Sequence, residues 1–153
     1  MKSVLKKIGL LLAVVLVILQ FIRPDKNEMG YESVAYFEND TKPGVAIKKI
    51  LKSNCYDCHS NQTIYPWYAE VAPVSYWLSH HVDEGKEHFN VSDWEQYSDK
   101  KKDHKLDELI EEVEEGEMPL SSYTWIHGNL EKEDKEVLIA WVRELRKQYS
   151  SVE

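Results

Sequence analysis

Hydrophobic positions fall along this chain in two regimes. Ile8 to Ile22 reads IGLLLAVVLVILQFI, apolar at every position but Gly9 and Gln20, behind a basic Met1–Lys7 segment. Downstream, apolar residues recur at spacings of three and four, the period of a helix with one buried face. Ala46, Ile47, Ile50 and Leu51 make one such face, with Thr41 as the predicted cap and Pro43 in the first turn. Val74, Trp77, Leu78, His81, Val82 and Gly85 share a stripe on a second helix after Pro73. Leu106, Leu109, Ile110 and Val113 point inward on a third, from about His104 to Glu115, which Gly116 should stop. Val137, Leu138, Trp141, Val142 and Leu145 do so on a fourth, from about Lys132 to Gln148. No run alternates as a strand does, so the predicted fold class is all-α.

The leading run spans about 22 Å as a helix, short of the roughly 30 Å hydrocarbon core of a bilayer. Val4 and Leu5 extend it if Lys6, Lys7 and Arg23 reach out to headgroups. The run ends in Gln-Phe-Ile-Arg-Pro, without the small residues a signal-peptide cleavage site needs. The expectation is an uncleaved signal anchor over residues 1–23, a transmembrane helix whose Lys2, Lys6 and Lys7 stay in the cytoplasm. The remainder is then exported, on the periplasmic or other extracytoplasmic side of the inner membrane. Residues 24–42 mix charge, Asn, Gly and scattered aromatics, and read as a tether with partial order; residues 43–149 form the domain.

Composition sharpens this division. All five Trp and all nine Tyr lie beyond Pro24. The net charge is −8, and Lys2, Lys6, Lys7 and Arg23 sit in a leader with no acidic residue, so the domain itself is more acidic still. An acidic domain repels phosphate backbones, which excludes nucleic acid as a partner. It suits a basic protein partner, steered by long-range attraction.

The chemistry is concentrated at residues 55–59, Cys-Tyr-Asp-Cys-His, the only cysteines of the chain. Cys-x-x-Cys-His is the haem c attachment signature. Each thiol can form a thioether to one haem vinyl group, and the adjacent His59 supplies the proximal axial imidazole. A disulfide between Cys55 and Cys58 would also suit an oxidising compartment. A thioredoxin-like pair would want a βαβ setting, and zinc would want further ligands at metal spacing. Met118, in Gly-Glu-Met-Pro-Leu just past a helix end, is the first candidate for the distal axial ligand. Pro119 holds it to an extended backbone, and the bland role for a lone Met is core filling. His81, on the apolar stripe of the second helix, and His127, in the turn before the last helix, are the alternative distal ligands. His80, His88 and His104 fall on polar faces. Trp67, Trp77, Trp94, Trp125 and Trp141 are available to wall a haem.

The segment CYDCHSNQTIYPWYAEVAP, followed by HVDEGKEHFNVSDW, GEMPLSSYTWIHGNL and KEVLIAWV, resembles the haem-binding domain family of small exported single-haem c-type cytochromes. The likeness covers about residues 43 to 146. It implies one covalent haem c at Cys55, Cys58 and His59, a small cytochrome c-like helical domain, and Met118 as distal ligand. Members often carry Ser or Thr where this chain has Glu131, which bears on the cap of the last helix.

The function expected is electron transfer between redox protein partners, with no enzymatic step. Met–His ligation raises the reduction potential relative to two imidazoles, and a six-coordinate iron leaves no open site. The alternatives are a gas or peroxide sensor, or a peroxidase-like enzyme, with an open distal site, and an electron-relay module docked on a larger respiratory complex.

Overall fold

A computed structural model of the protein describes residues 1–150. Eight α-helices follow one another: α1 (Lys2–Leu19), α2 (Ala35–Thr41), α3 (Val45–Asn54), α4 (Tyr56–His59), α5 (Val74–His88), α6 (Asp99–Glu115), α7 (Ser121–His127) and α8 (Lys132–Ser150). Short 3₁₀ turns lie at Tyr31–Val34, Trp67–Glu70 and Val91–Gln96. Among the described residues there is no β-strand, only an isolated bridge between Glu28 and Gln62. The all-α expectation agrees with this architecture.

The core forms where α6 and α8 pack together. Leu106, Ile110 and Val113 meet Leu138, Val142 and Leu145, and α3 adds Ile47, Ile50 and Leu51. Burial of this size stabilises by roughly 1.5–3 kcal/mol per large aliphatic side chain. Trp94 is fully buried at the other end of this core, with Phe37 at 5.2 Å and Tyr149 at 5.7 Å packed edge-on against it. One carboxylate oxygen, Asp40 Oδ2, accepts from Trp94 Nε1 (2.9 Å), Lys102 Nζ (3.1 Å) and Tyr149 Oη (2.7 Å). That triple acceptance ties α2, α6 and α8 to one point. It also explains how Lys102 can be buried: its charge is paired.

α6 starts one turn earlier than its apolar spacing indicates. Ser98 caps it, accepting from Lys101 N, and the added first turn is polar and carries no periodic signal. Gly116, at φ +83°, ends it in the left-handed conformation that glycine adopts without strain. α8 likewise runs on to Ser150.

Three expectations need correction. The N-terminal transmembrane helix is not supported: among the described residues, no helix is long and apolar enough to cross a membrane. α1 stops at Leu19, and Lys2, Lys6 and Lys7 occupy its first turns, leaving Ile8–Leu19, about 18 Å of apolar helix. Gln20 and Phe21 lie beyond its end, and the Gln20 side-chain amide pairs with the backbone of Ala72 through Nε2 to O (3.2 Å) and Ala72 N to Oε1 (3.0 Å). Residues 24–42 are more closely packed on the domain than the expected, partly ordered tether. Asn27 donates to Ser60 O (2.8 Å), Met29 N to Asn61 O (2.9 Å), and Val34 and Phe37 are buried in the core. Their burial shows no sequence period because it comes from one turn and a two-turn helix. Thr41 is not a helix cap. It closes α2, its hydroxyl donating back to Phe37 O at 2.7 Å, and α3 begins beyond Gly44 with Ala46 exposed.

Candidate functional site

Within the pentapeptide 55–59, Tyr56–His59 form α4, a single turn with Cys55 at its N-cap, following directly on α3. Its spacing gives each residue a different neighbour. Tyr56 is 1% exposed and faces the core, its hydroxyl reaching Glu38. Asp57 turns to the following loop, accepting from Ile64 N at 2.8 Å through Oδ1. Ser60, fully buried, donates to Tyr56 O at 2.7 Å and accepts from Gln62 N at 3.0 Å, which locks the chain as it leaves the turn.

His59 is held from α5. Its Nδ1–H donates to the Phe89 carbonyl at 2.9 Å, so Nε2 is left unprotonated and able to act as a ligand. Burial lowers its pKa, against the raising effect of the Phe89 and Gly85 carbonyls, and the ring is neutral at neutral pH. α5 can approach this closely only because residue 85 is glycine. A Cβ there would lie 2.7 Å from the Cys58 carbonyl oxygen and 3.1 Å from Cys58 Cβ.

Both cysteines are free thiols. Burial pushes Cys55 up to about 12, with Cys58 adding to it, and pushes Cys58 up to about 11, with Asp57 adding to it. Such thiols are protonated at neutral pH. That is the opposite of the depressed pKa that makes a dithiol a redox catalyst.

Two cavities flank the pentapeptide. The first, about 460 Å³, is lined by Cys55, His59 and Gly85 on one side and by Met118 and Pro119 on another. Its floor is apolar, with Leu51, Phe89, Leu106, Leu138 and Trp141, and its rim carries Glu108, Glu111, Glu112 and Glu115 beside Lys105 and His88. Met118 reaches it from the end of α6, where its N–H donates to Glu112 O at 3.1 Å, and it packs partly buried against the core. The second, about 420 Å³, is lined by Cys58, Trp77, His81, Tyr123, Trp125 and His127 among others. The two thiols thus open on adjoining cavities, with the turn of α4 as their common wall.

The structure therefore brings Cys55, His59 and Met118 to one cavity and sets His81 and His127 on the other. Each of those two histidines has a partner of its own. His81 lies edge-on to Trp77 (4.4 Å) and 3.5 Å from Glu84 Oε2; His127 stacks on Tyr123 (4.2 Å) with Nε2 2.9 Å from the Tyr68 hydroxyl. Of the tryptophans, only Trp141 lines the first cavity; Trp94 is in the core and Trp67 is 80% exposed. His88 was placed on a polar face, yet it reaches the first cavity's rim, and Lys105 and Asp57 carried no signal at all. Gly85 had one, a glycine in the apolar stripe of α5, where a close backbone approach is the usual reason.

Asp57 makes a further contact across the second cavity. The Tyr123 hydroxyl lies 3.1 Å from Asp57 Oδ2 and 3.0 Å from Ser53 O. Burial and the nearby Asp57 charge raise the Tyr123 pKa well above that of an ordinary phenol, so this hydroxyl keeps its proton.

A family model described as a haem-binding domain matches residues 14–144. The match begins before residue 24 and takes in the segment that the fold incorporates ahead of α3. No curated protein and no solved structure matches the chain.

Proposed function

We propose, from the premise that this chain belongs to the haem-binding domain family, that it is a mono-haem c-type cytochrome that passes single electrons between protein partners. Its residues fit the group. The first cavity pairs an apolar floor with a buried neutral imidazole, a thioether across from it and a thiol in its wall, with a second thiol three residues on. Cys55 and Cys58 would hold the haem covalently, His59 Nε2 would be its proximal ligand and Met118 Sδ its distal one. Haem bound there supplies a one-electron couple at its iron. The observation that carries the reading is that His59 and Met118, 59 positions apart in the chain, line one cavity while His81 and His127 do not.

Each residue has a stated part. The Phe89 carbonyl fixes the His59 tautomer and ring orientation. Met118 sulfur favours the reduced state relative to imidazole. The apolar floor excludes water, which also favours the less charged state. Glu108, Glu111, Glu112 and Glu115 around the rim offer a negative face where electrons would enter or leave, and they suit a basic redox partner. Because thioether attachment belongs to the export pathway, the domain works on the extracytoplasmic side.

Two measurements test the reading. Denaturation of the purified protein in acidified organic solvent should leave haem on the polypeptide; haem released to the solvent would refute covalent attachment. The oxidised spectrum should show the weak far-red charge-transfer band of ferric haem bound by methionine sulfur. Its absence would remove Met118 from the iron.

A further inference from the structure

α7 is the least supported helix around the two cavities. None of its residues is buried; Trp125 and Ile126 are 83% and 64% exposed. Apolar packing therefore does not fix its position. It nevertheless begins three residues after Met118, and its first turn is built on Leu120, whose carbonyl accepts from Tyr123 N (2.9 Å) and Thr124 N (3.1 Å). Any displacement of α7 is passed through Pro119 and Leu120 to Met118.

What holds α7 is polar. The Tyr123 hydroxyl sits between two acceptors, Ser53 O at 3.0 Å and Asp57 Oδ2 at 3.1 Å, on the opposite bank of the second cavity. Asp57 is itself braced by Ile64 N on its other oxygen. The second tie is the Tyr68 hydroxyl on His127, whose ring stacks on Tyr123. Asp57 lies inside the attachment pentapeptide, so the Tyr123 contact joins the His59-bearing turn directly to the Met118-bearing segment.

We infer that Tyr123 and Asp57 form a strut that sets the position of the Met118 side chain over the first cavity, making both of them positioning residues for the distal ligand. The inference rests on Met118 being that ligand. Upstream, Met118 N is fixed to Glu112 O at the end of α6. Downstream, the strut supplies the second fixed point. With only one of them, the segment can swing and the sulfur becomes easier to displace.

The test uses the full-length, haem-loaded protein with imidazole as the competing ligand. Tyr123→Phe keeps the ring and its stacking and removes only the hydroxyl. It should leave haem per polypeptide unchanged, weaken the far-red methionine band, and raise apparent imidazole affinity about tenfold, the scale of one hydrogen bond to a charged group. Asp57→Ala should do the same, the double variant should add little, and Asp57→Asn, which can still bridge Ile64 N and the hydroxyl, should restore most of the band. A purely structural tyrosine would lower the melting temperature and leave imidazole affinity and the band as in the wild type; that result overturns the strut. The underlying reading fails separately: if the wild type lacks the band and Met118→Ala leaves imidazole affinity unchanged, Met118 is not the ligand and the strut has no sulfur to position.

Discussion

The two banks of the first cavity are built differently. On the attachment side, α4 is wedged between α3 and α5 with Tyr56 and Ser60 buried, His59 bonded to Phe89, and the following loop stitched to Asn27 and Met29. On the Met118 side, a glycine-terminated helix gives way to a short segment and then to α7, which has no fully buried residue and is held by a few hydroxyl contacts. On the proposed reading, the attachment thiols and the proximal imidazole fall on the over-determined bank, and Met118, the proposed distal ligand, falls on the bank with few constraints. Low local stability is where ligand exchange concentrates in folded proteins. The contrast points to a site that is rigid where it must hold a group and adjustable where it must set a potential.

The strongest way to break this contrast is at the thiols. Replacing Cys55 and Cys58 together by Ala should abolish haem retained after denaturation, while either single variant keeps one thioether and partial retention. Full retention in the double variant would mean that attachment does not run through this turn.

The glycines on the two banks give the next largest difference. Gly85→Ala drives a Cβ to 2.7 Å from the Cys58 carbonyl, a backbone atom that cannot yield cheaply. It should destabilise by about 1–3 kcal/mol and lower haem incorporation. Gly116→Ala meets nothing within 4 Å but sits at φ +83°, so it should cost only about 1 kcal/mol of strain and leave incorporation intact. Thermal melts paired with haem-to-protein ratios separate the two, and equal effects would erase the distinction between the banks.

Met118→Ala sharpens the loosely held side. With sulfur on the iron, the variant should bind carbon monoxide more tightly and show a lower potential, with attachment unchanged. If Met118 only fills space, the variant should lose about 2 kcal/mol of stability, at the low end because the side chain is half-buried, with carbon monoxide binding unaltered.

The smallest effect on the site itself is expected away from both banks, at Asp40. Burial pushes its carboxyl up, but hydrogen bonds from Tyr149, Trp94 and Lys102 outweigh that and hold it below the ordinary value. A carboxyl lowered in the folded state contributes stability above its unfolded pKa, and that stability is lost as the pH falls through the folded value. Asp40→Asn should therefore flatten the acid limb of a stability–pH curve, with a loss of about 1.5–3 kcal/mol at neutral pH because the buried Lys102 charge loses its partner, and should shift neither carbon monoxide affinity nor haem retention.

Much of the fold was legible because helices announce themselves locally. The stripes through Val74–Gly85, Leu106–Val113 and Val137–Leu145 correspond to α5, α6 and α8, since a 3.6-residue period is a property of neighbouring residues, although the ends shift and Trp77 and Val137 lie exposed at the edges of their faces. Short elements gave no such signal. Tyr31–Thr41 has too few turns to show a period, so its burial of Val34 and Phe37 was read as tether. The apolar run to Ile22 reads as a single spanning helix because nothing in it reveals that Gln20 has a partner at Ala72.

The sequence by itself determined the helical class, the pentapeptide with its thiols and imidazole, the acidic balance, and a list of three side chains for the distal position. Local spacing was enough for these, since each is set within a few residues. Only the tertiary structure decided which of Met118, His81 and His127 shares a cavity with His59, that Gly85 lets α5 reach Cys58, and that Tyr123 meets Asp57 across 66 positions of chain. Those relations depend on how helix faces are brought together through loops of irregular geometry, and no periodicity within a helix encodes which face of another helix it will meet.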